Sequence, residues 1–236
     1  MTDDSLKLVM RLLEFTDSAF PVGTFSFSNG LETAAELGEV TDAGELEEYA
    51  RDMLHRTAST DCVAAMCAFR AAMVNDFDAV SEADSRLWLT KLNAEARQMT
   101  ARMGRKTAEL AGSILEDSEE WQGMGARWLA DIAAGRVRGT HPVTVAVVFS
   151  ACGLSARDLF CSLCYGSLNM VLSAALRCVR VSHYDTQRIL FRLSAEASQL
   201  YDEVCGLTLD DINSFAPQSD ILASLHEKGN RRMFMN

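Results

Sequence analysis

Little in this sequence interrupts a helix. Three prolines and 14 glycines are spread over 236 residues, and proline is the residue that removes a backbone donor and breaks the helical ladder. Aromatic residues make up 8%, while Ala, Leu, Glu, Arg and Met are prominent, a balance that favours helix over sheet. The chain therefore reads as nearly all-α. Its 48% hydrophobic content is enough for a core built by packing alone.

Other absences narrow the function. The net charge of −11 comes without a clustered basic stripe, so a nucleic-acid backbone is repelled on average and is not an expected partner. No unbroken apolar run reaches the roughly 20 residues that span a membrane. The start MTDDSLKLVMRLLEF is acidic and amphipathic and lacks the basic, apolar and small-residue zones of a signal peptide. Seven cysteines, at 62, 67, 152, 161, 164, 178 and 205, are odd in number and lack the dense spacing of a secreted disulfide framework. A soluble protein of the reducing cytoplasm is expected.

Catalytic signatures are missing as well. No GxxxxGK[ST] loop, GxGxxG turn, GxSxG elbow or HExxH helix occurs, which removes the commonest nucleotide, hydrolase and metallopeptidase readings. His55, His141, His183 and His226 stand singly, with no HxH or HxxxH pair to bring two imidazoles to one metal. Cys161 and Cys164 form CSLC, a redox pair or half a metal site by pattern. Without a second pair it reads as core packing, as do Cys62, Cys67, Cys152 and Cys178. The 33 carboxylates fall mostly opposite the apolar stripes, so no acid and base pair stands out.

What is present is a succession of amphipathic segments. Ser5–Ser18 carries Leu6, Val9, Met10, Leu12, Leu13 and Phe15 at helical spacing, which predicts a helix with a wide buried face. The segment FPVGTFSFSNGLE, Phe20 to Glu32, is unlike the rest. Pro21 and Gly23 stop the first helix, and Phe25 and Phe27 alternate with Thr24, Ser26 and Ser28 in a short extended piece or tight turn. One of these two phenylalanines is expected to face inward. A short helix from Leu31 to Leu37 ends at Gly38, and Thr41 or Asp42 caps the next. Residues 43–75 form one long or two consecutive helices with a weak point near Ser59–Asp61, and two more fit Ser81–Leu115.

The acidic run Glu116–Glu120, followed by Gly123 and Gly125, is an exposed link or a solvated helix end. VTVAVVFSACG after His141-Pro142 has strand-like β-branching. It is read as a buried helix, because no second strand-like run exists to pair with it. Ser155 and Asp158 form a capping box before the expected central helix. Asp185–Gly206 is read as a further amphipathic helix, and the polar stretch from 223 to 236 as a flexible tail. No internal repeat appears.

Several of these segments together resemble a known family. LLEFTDSAFPVGTFSFSNGLET is similar to the N-terminal signature of the urease accessory protein UreF family. LNAEARQMTARMGRKTAEL, with Glu95, Arg97, Gly104 and Arg105, resembles its middle helix, and GTHPVTVAVVFSACGL its His-Pro segment. Asn169, Ala174, Ala175 and Arg177, then Asp185, Gln187 and Arg188, resemble the following helix pair, and SLHEKGNRRMFMN its ending. The likeness covers nearly the full chain. It departs where the family commonly has Pro-Leu-Gly-Gln and this chain has Arg180, Val181, Ser182 and His183, and where Thr186 replaces a usual glycine.

The resemblance implies one all-helical domain over residues 1–236, a compact bundle of about ten helices and a homodimer without catalytic activity. It implies a nickel-insertion chaperone that binds a UreD/UreH-type accessory protein and recruits a UreG-type GTPase. Nickel would then reach urease apoprotein through those partners, with no cofactor held by this chain, and the resemblance extends to a role in modulating the GTPase. Partner-binding roles pass by resemblance to Phe25, Ser28, Gly30, Glu32, His226, Arg232 and Phe234, the tail becoming ordered when the UreD-type partner docks. Two other readings stand beside it. One is a helical enzyme in which Cys161, Cys164 or His183 converge with a perturbed carboxylate in a pocket; the other is a helical adaptor unrelated to nickel.

Overall fold

The computed structural model describes residues 4–23, 27–213, 221–222, 224–225 and 234. Among them are eleven α-helices, two π-helical segments and one 3-10 turn, with no strand: α1 Asp4–Thr16, α2 Leu31–Glu36, α3 Ala43–Thr57, α4 Val63–Met73, α5 Phe77–Thr90, α6 Ala94–Ile114, α7 Ala126–Ala133, α8 His141–Cys152, α9 Ala156–Cys178, α10 His183–Ser194 and α11 Ala197–Val204. The all-α expectation holds.

Side-chain caps set five of the helix starts. Asp42 accepts from the Gly44 and Glu45 amides to open α3, Asp76 opens α5, and Asn93 opens α6. Ser155 with Asp158 and Ser182 with Asp185 form capping boxes at α9 and α10, each satisfying donors the first helical turn leaves over. The weak point read near Ser59–Asp61 is a π-helical segment, Ala58–Cys62, that joins α3 to α4 in one continuous rod. A π turn absorbs one extra residue without ending the helix.

The valine-rich α8 is buried from Pro142 to Phe149 and packs chiefly on α4 and α6. A helix satisfies its own backbone groups in such a place, whereas a lone buried strand leaves them unpaired. Beside it runs α9, which touches α2, α3, α4, α10 and α11. By length and a window mean hydropathy of 1.6, α9 is apolar enough to cross a membrane, contrary to the expectation from unbroken runs. Ser162, Ser167, Asn169 and Ser173 interrupt the run without lowering the mean below that level. Half of the window is buried inside the protein, as befits the central helix expected here.

Three expectations are corrected. No residue of α1 is buried; Leu8, Leu12 and Phe15 pack on the core, while Leu6, Val9, Met10 and Leu13 are 52–69% exposed. Nothing in the described chain covers that outer side. The helix read over Asp185–Gly206 is two helices, α10 and α11, broken at Ala195–Glu196. There the Glu196 carboxylate turns to α3 and accepts from Arg51 at 2.9 Å, with His55 Nε2 at 3.1 Å. Among the cysteines read as core, Cys161 is exposed and Cys67 and Cys178 are only partly buried.

Candidate functional site

Phe20, Val22, Phe27 and Asn29 of the distinctive segment form one wall of a cleft of about 1620 Å³, part of it open to solvent. Phe15, Phe20 and Phe27 line it from this side, Met53 and Arg56 from α3, Met99 and Met103 from α6, His141 and Val145 from α8, and Met170 and Arg177 from α9. Phe15 is fixed by edge-on contact with Phe20, ring centroids 5.2 Å apart, and by Phe149 of the core at 6.5 Å. Four methionines from the facing helices give the cleft an adaptable apolar lining.

The turn into α2 is built on left-handed backbone. Asn29 has φ 54° and Gly30 φ 84°, a region open to glycine and tolerated by asparagine. The Tyr49 hydroxyl donates to the Asn29 carbonyl at 2.6 Å, and burial pushes that phenol up from its ordinary pKa, so it stays a donor. Asn29 Nδ2 reaches Met170 Sδ at 3.3 Å. Phe27 is 4% exposed and Ser28 is fully buried, so Phe27 is an inward-facing phenylalanine of the pair.

Among the residues named from the resemblance, Ser28, Gly30, Glu32 and Phe234 all lie in the interior, whereas Phe25, His226 and Arg232 lie outside the described residues. The structure brings Glu32 and Phe234 together: the Phe234 amide donates to Glu32 Oε2 at 3.2 Å. Arg177 of α9 lies over the Phe234 ring, 4.7 Å from its centroid, a cation–π contact. Cys178, the next residue, has its thiol pushed up to about 11, first by burial and then by the Glu32 charge.

Deeper in the cleft, His141 is placed by a residue that the sequence reading missed. Asp84 of α5 is fully buried, and its carboxylate accepts from the amides of Arg138 at 2.8 Å, Gly139 at 3.0 Å and Thr140 at 2.7 Å, and from the Thr140 hydroxyl at 2.6 Å. This clamps the loop that starts α8. Gly104 of α6 lets that loop come close, since a Cβ there would collide with the Gly139 carbonyl oxygen. The His141 amide then donates to Thr100 Oγ1 at 3.1 Å. Asp84 carried a readable signal: it is four residues after Val80 and three before Leu87, on the buried stripe of α5.

The imidazole of His141 is neutral at ordinary pH, because burial lowers its pKa to about 4, with only Asp61 pulling it back. The Thr107 hydroxyl spends its proton on the Met103 carbonyl at 2.9 Å, so it accepts from His141 Nδ1 at 3.1 Å. Among the described residues Nε2 has no hydrogen-bond partner, and the ring borders the cleft. Near it, Lys91 Nζ pairs with Asp61 at 2.6 Å. Cys161, Cys164 and His183 do not meet there: none lines the cleft, which removes the convergence that the enzyme reading required. Among the described residues no three His, Cys, Asp or Glu side chains gather as a metal cluster.

These features define an all-helical protein whose conspicuous parts are an apolar cleft, a carboxyl-terminal aromatic seated beside it and an outward apolar helix face. The UreF family model matches residues 40–194. The chain is 42% identical over 232 residues to urease accessory protein UreF 1 of Brucella melitensis biotype 1, covering 98% of this chain and 94% of that protein. It is 40% identical to urease accessory protein UreF of Photorhabdus laumondii, covering 99% and 100%, and 38% identical to that of Yersinia enterocolitica, covering 97% and 98%. The chain belongs to the UreF family.

Proposed function

We propose that this protein serves urease maturation as a non-catalytic adaptor. It binds a UreD/UreH-type accessory protein and recruits a UreG-type GTPase, so that nickel, the cargo of the assembly, reaches urease apoprotein. It works as a homodimer in the cytoplasm, and it adjusts the nucleotide cycle of the GTPase by holding it in place. The names of its relatives, urease accessory proteins matched end to end, support the process.

The observation that carries an adaptor role is α1. This helix is apolar toward the core through Leu8, Leu12 and Phe15 and apolar toward solvent through Leu6, Val9, Met10 and Leu13. The outward four follow i, i+3, i+4, i+7 spacing, the pattern by which a helix docks on another protein surface. A chain that works alone gains nothing from that stripe. The Glu32–Phe234–Arg177 contact supplies the second element, a seat for the carboxyl terminus against α2 and α9 where the UreD-type partner docks. Ser28 and Gly30 act from beneath as supports of this seat.

Light scattering on a sizing column tests the proposal, with this chain mixed with the UreD- and UreG-type proteins of its own source, with and without GTP and nickel. A discrete particle holding two copies of each is expected. Elution of all three as separate species at micromolar concentration would refute the adaptor role.

A further inference from the structure

Cys62 and Cys164 lie in different elements, 102 residues apart, yet their sulfurs stand 3.8 Å from one another. Both are buried, at 0% and 3% exposure. Cys62 is the last residue of the π-helical segment, and Cys164 lies in the middle of α9. Closing 3.8 Å to a disulfide bond length of about 2.05 Å needs a shift of under ~2 Å, and it falls where the helix already carries an extra residue in its turn. One turn before Cys164 on the same helix, Cys161 is exposed, and residues three apart share a helix face.

We propose that Cys62 and Cys164 form a reversible disulfide and that Cys161 is the thiol through which the oxidant enters. With a peroxide as oxidant, the Cys161 thiolate takes one oxygen to become a sulfenic acid, and the peroxide leaves as water or alcohol. Cys164 attacks that sulfur, expelling water and forming the Cys161–Cys164 disulfide. Cys62 then attacks Cys164; the Cys161 thiolate leaves and takes the proton that Cys62 gives up. The net reaction converts two thiols and one peroxide to one disulfide and two molecules of water or its alcohol equivalent. Burial raises the pKa of the Cys62 thiol, and partial burial with the Cys164 and Asp158 charges raises that of Cys161, so both react slowly at neutral pH and the exchange is reserved for strongly oxidative conditions.

The bond would tie together two walls of the cleft. At the same junction the Thr57 hydroxyl gives its proton to the Met53 carbonyl and accepts from the Ser167 hydroxyl at 2.8 Å, and Asp61, next to Cys62, holds Lys91. The covalent link fixes the π-helical segment to α9, in place of a contact that can slide. The inference is independent of the adaptor role.

The test is to expose the full folded chain to hydrogen peroxide, unfold it in an alkylating reagent and fragment the tryptic peptides covering 57–70 and 158–177. A mass loss of about 2 Da, two protected thiols and a Cys62–Cys164 linkage that dithiothreitol reverses are the expected result. Cys161→Ser should reach the same linkage at least about tenfold more slowly, and Cys62→Ala should stop at Cys161–Cys164. Oxidation confined to Cys161, or cross-linking between chains through it, with Cys62 still alkylated, would overturn the proposal. An unchanged rate in Cys161→Ser would overturn the entry route.

Discussion

The buried carboxylate of Glu32, 2% exposed, accepts the backbone N–H of Phe234 from 202 residues further along the chain. The amino-terminal signature and the carboxyl terminus thus meet in one contact. Deleting the residues after Gly229 removes Phe234 and leaves a buried carboxylate short of a donor, a loss of about 1–3 kcal/mol. The truncated chain should show a lowered urea midpoint with unchanged helical circular dichroism, and it should fail to assemble with the UreD-type protein. Glu32→Ala is expected to lose stability by a similar amount, since its side chain is interior. A mutant melting like the parent would place this carboxylate outside the fold's hydrogen bonding.

Asp84 holds four donors on one carboxylate at 3.0 Å or less. In Asp84→Ala those donors lose their acceptor inside the protein, so a loss of about 3 kcal/mol or more is expected in urea unfolding. Asp84→Asn keeps the shape but turns one acceptor into a donor facing amide hydrogens, and should recover little. A loss below about 1 kcal/mol in Asp84→Ala would mean that water replaces the carboxylate freely.

His141 makes stability depend on pH in a definite direction. Its folded pKa of about 4 lies below the unfolded value near 6.5, so between these values the unfolded chain binds the extra proton. Stability is therefore full above about pH 6.5 and falls as pH drops toward about 4, by an order of ~3 kcal/mol. Urea midpoints of the parent and of His141→Asn, taken at several pH values across that window, should diverge near neutrality and converge at the acid end. Parallel curves would show that the imidazole protonates freely in the folded protein.

The outward face of α1 separates assembly from folding. Leu6→Glu with Leu13→Glu alters two side chains that are 69% and 59% exposed, and exposed substitutions away from caps and cores usually stay within about 0.5 kcal/mol each. The melting temperature should hardly move, while the scattering mass of the complex, or of the dimer, should fall. An intact assembly in this variant would remove α1 from the interface.

Much of the fold was legible because helix signals are local. Asp42, Ser155 with Asp158, and the interruption at Ser59–Asp61 each announce themselves within a few residues, since a cap or a π turn is decided by neighbours in sequence. The break between α10 and α11 was not legible, because Glu196 finds its partners Arg51 and His55 on α3. The cleft wall at Phe20–Glu32 stood out by composition, yet the role of Asp84 in placing His141 did not. A carboxylate on an apolar stripe reveals its purpose only when the loop carrying its donors is in position.

The sequence by itself determined that this chain is helical, where most of its helices begin, and which family it belongs to, for all three depend on residue types and their spacing. Tertiary structure alone decided which apolar faces are covered and which distant groups meet. The outward side of α1, the Glu32–Phe234 contact and the Cys62–Cys164 pair follow from how the helices pack, and packing depends on every element at once.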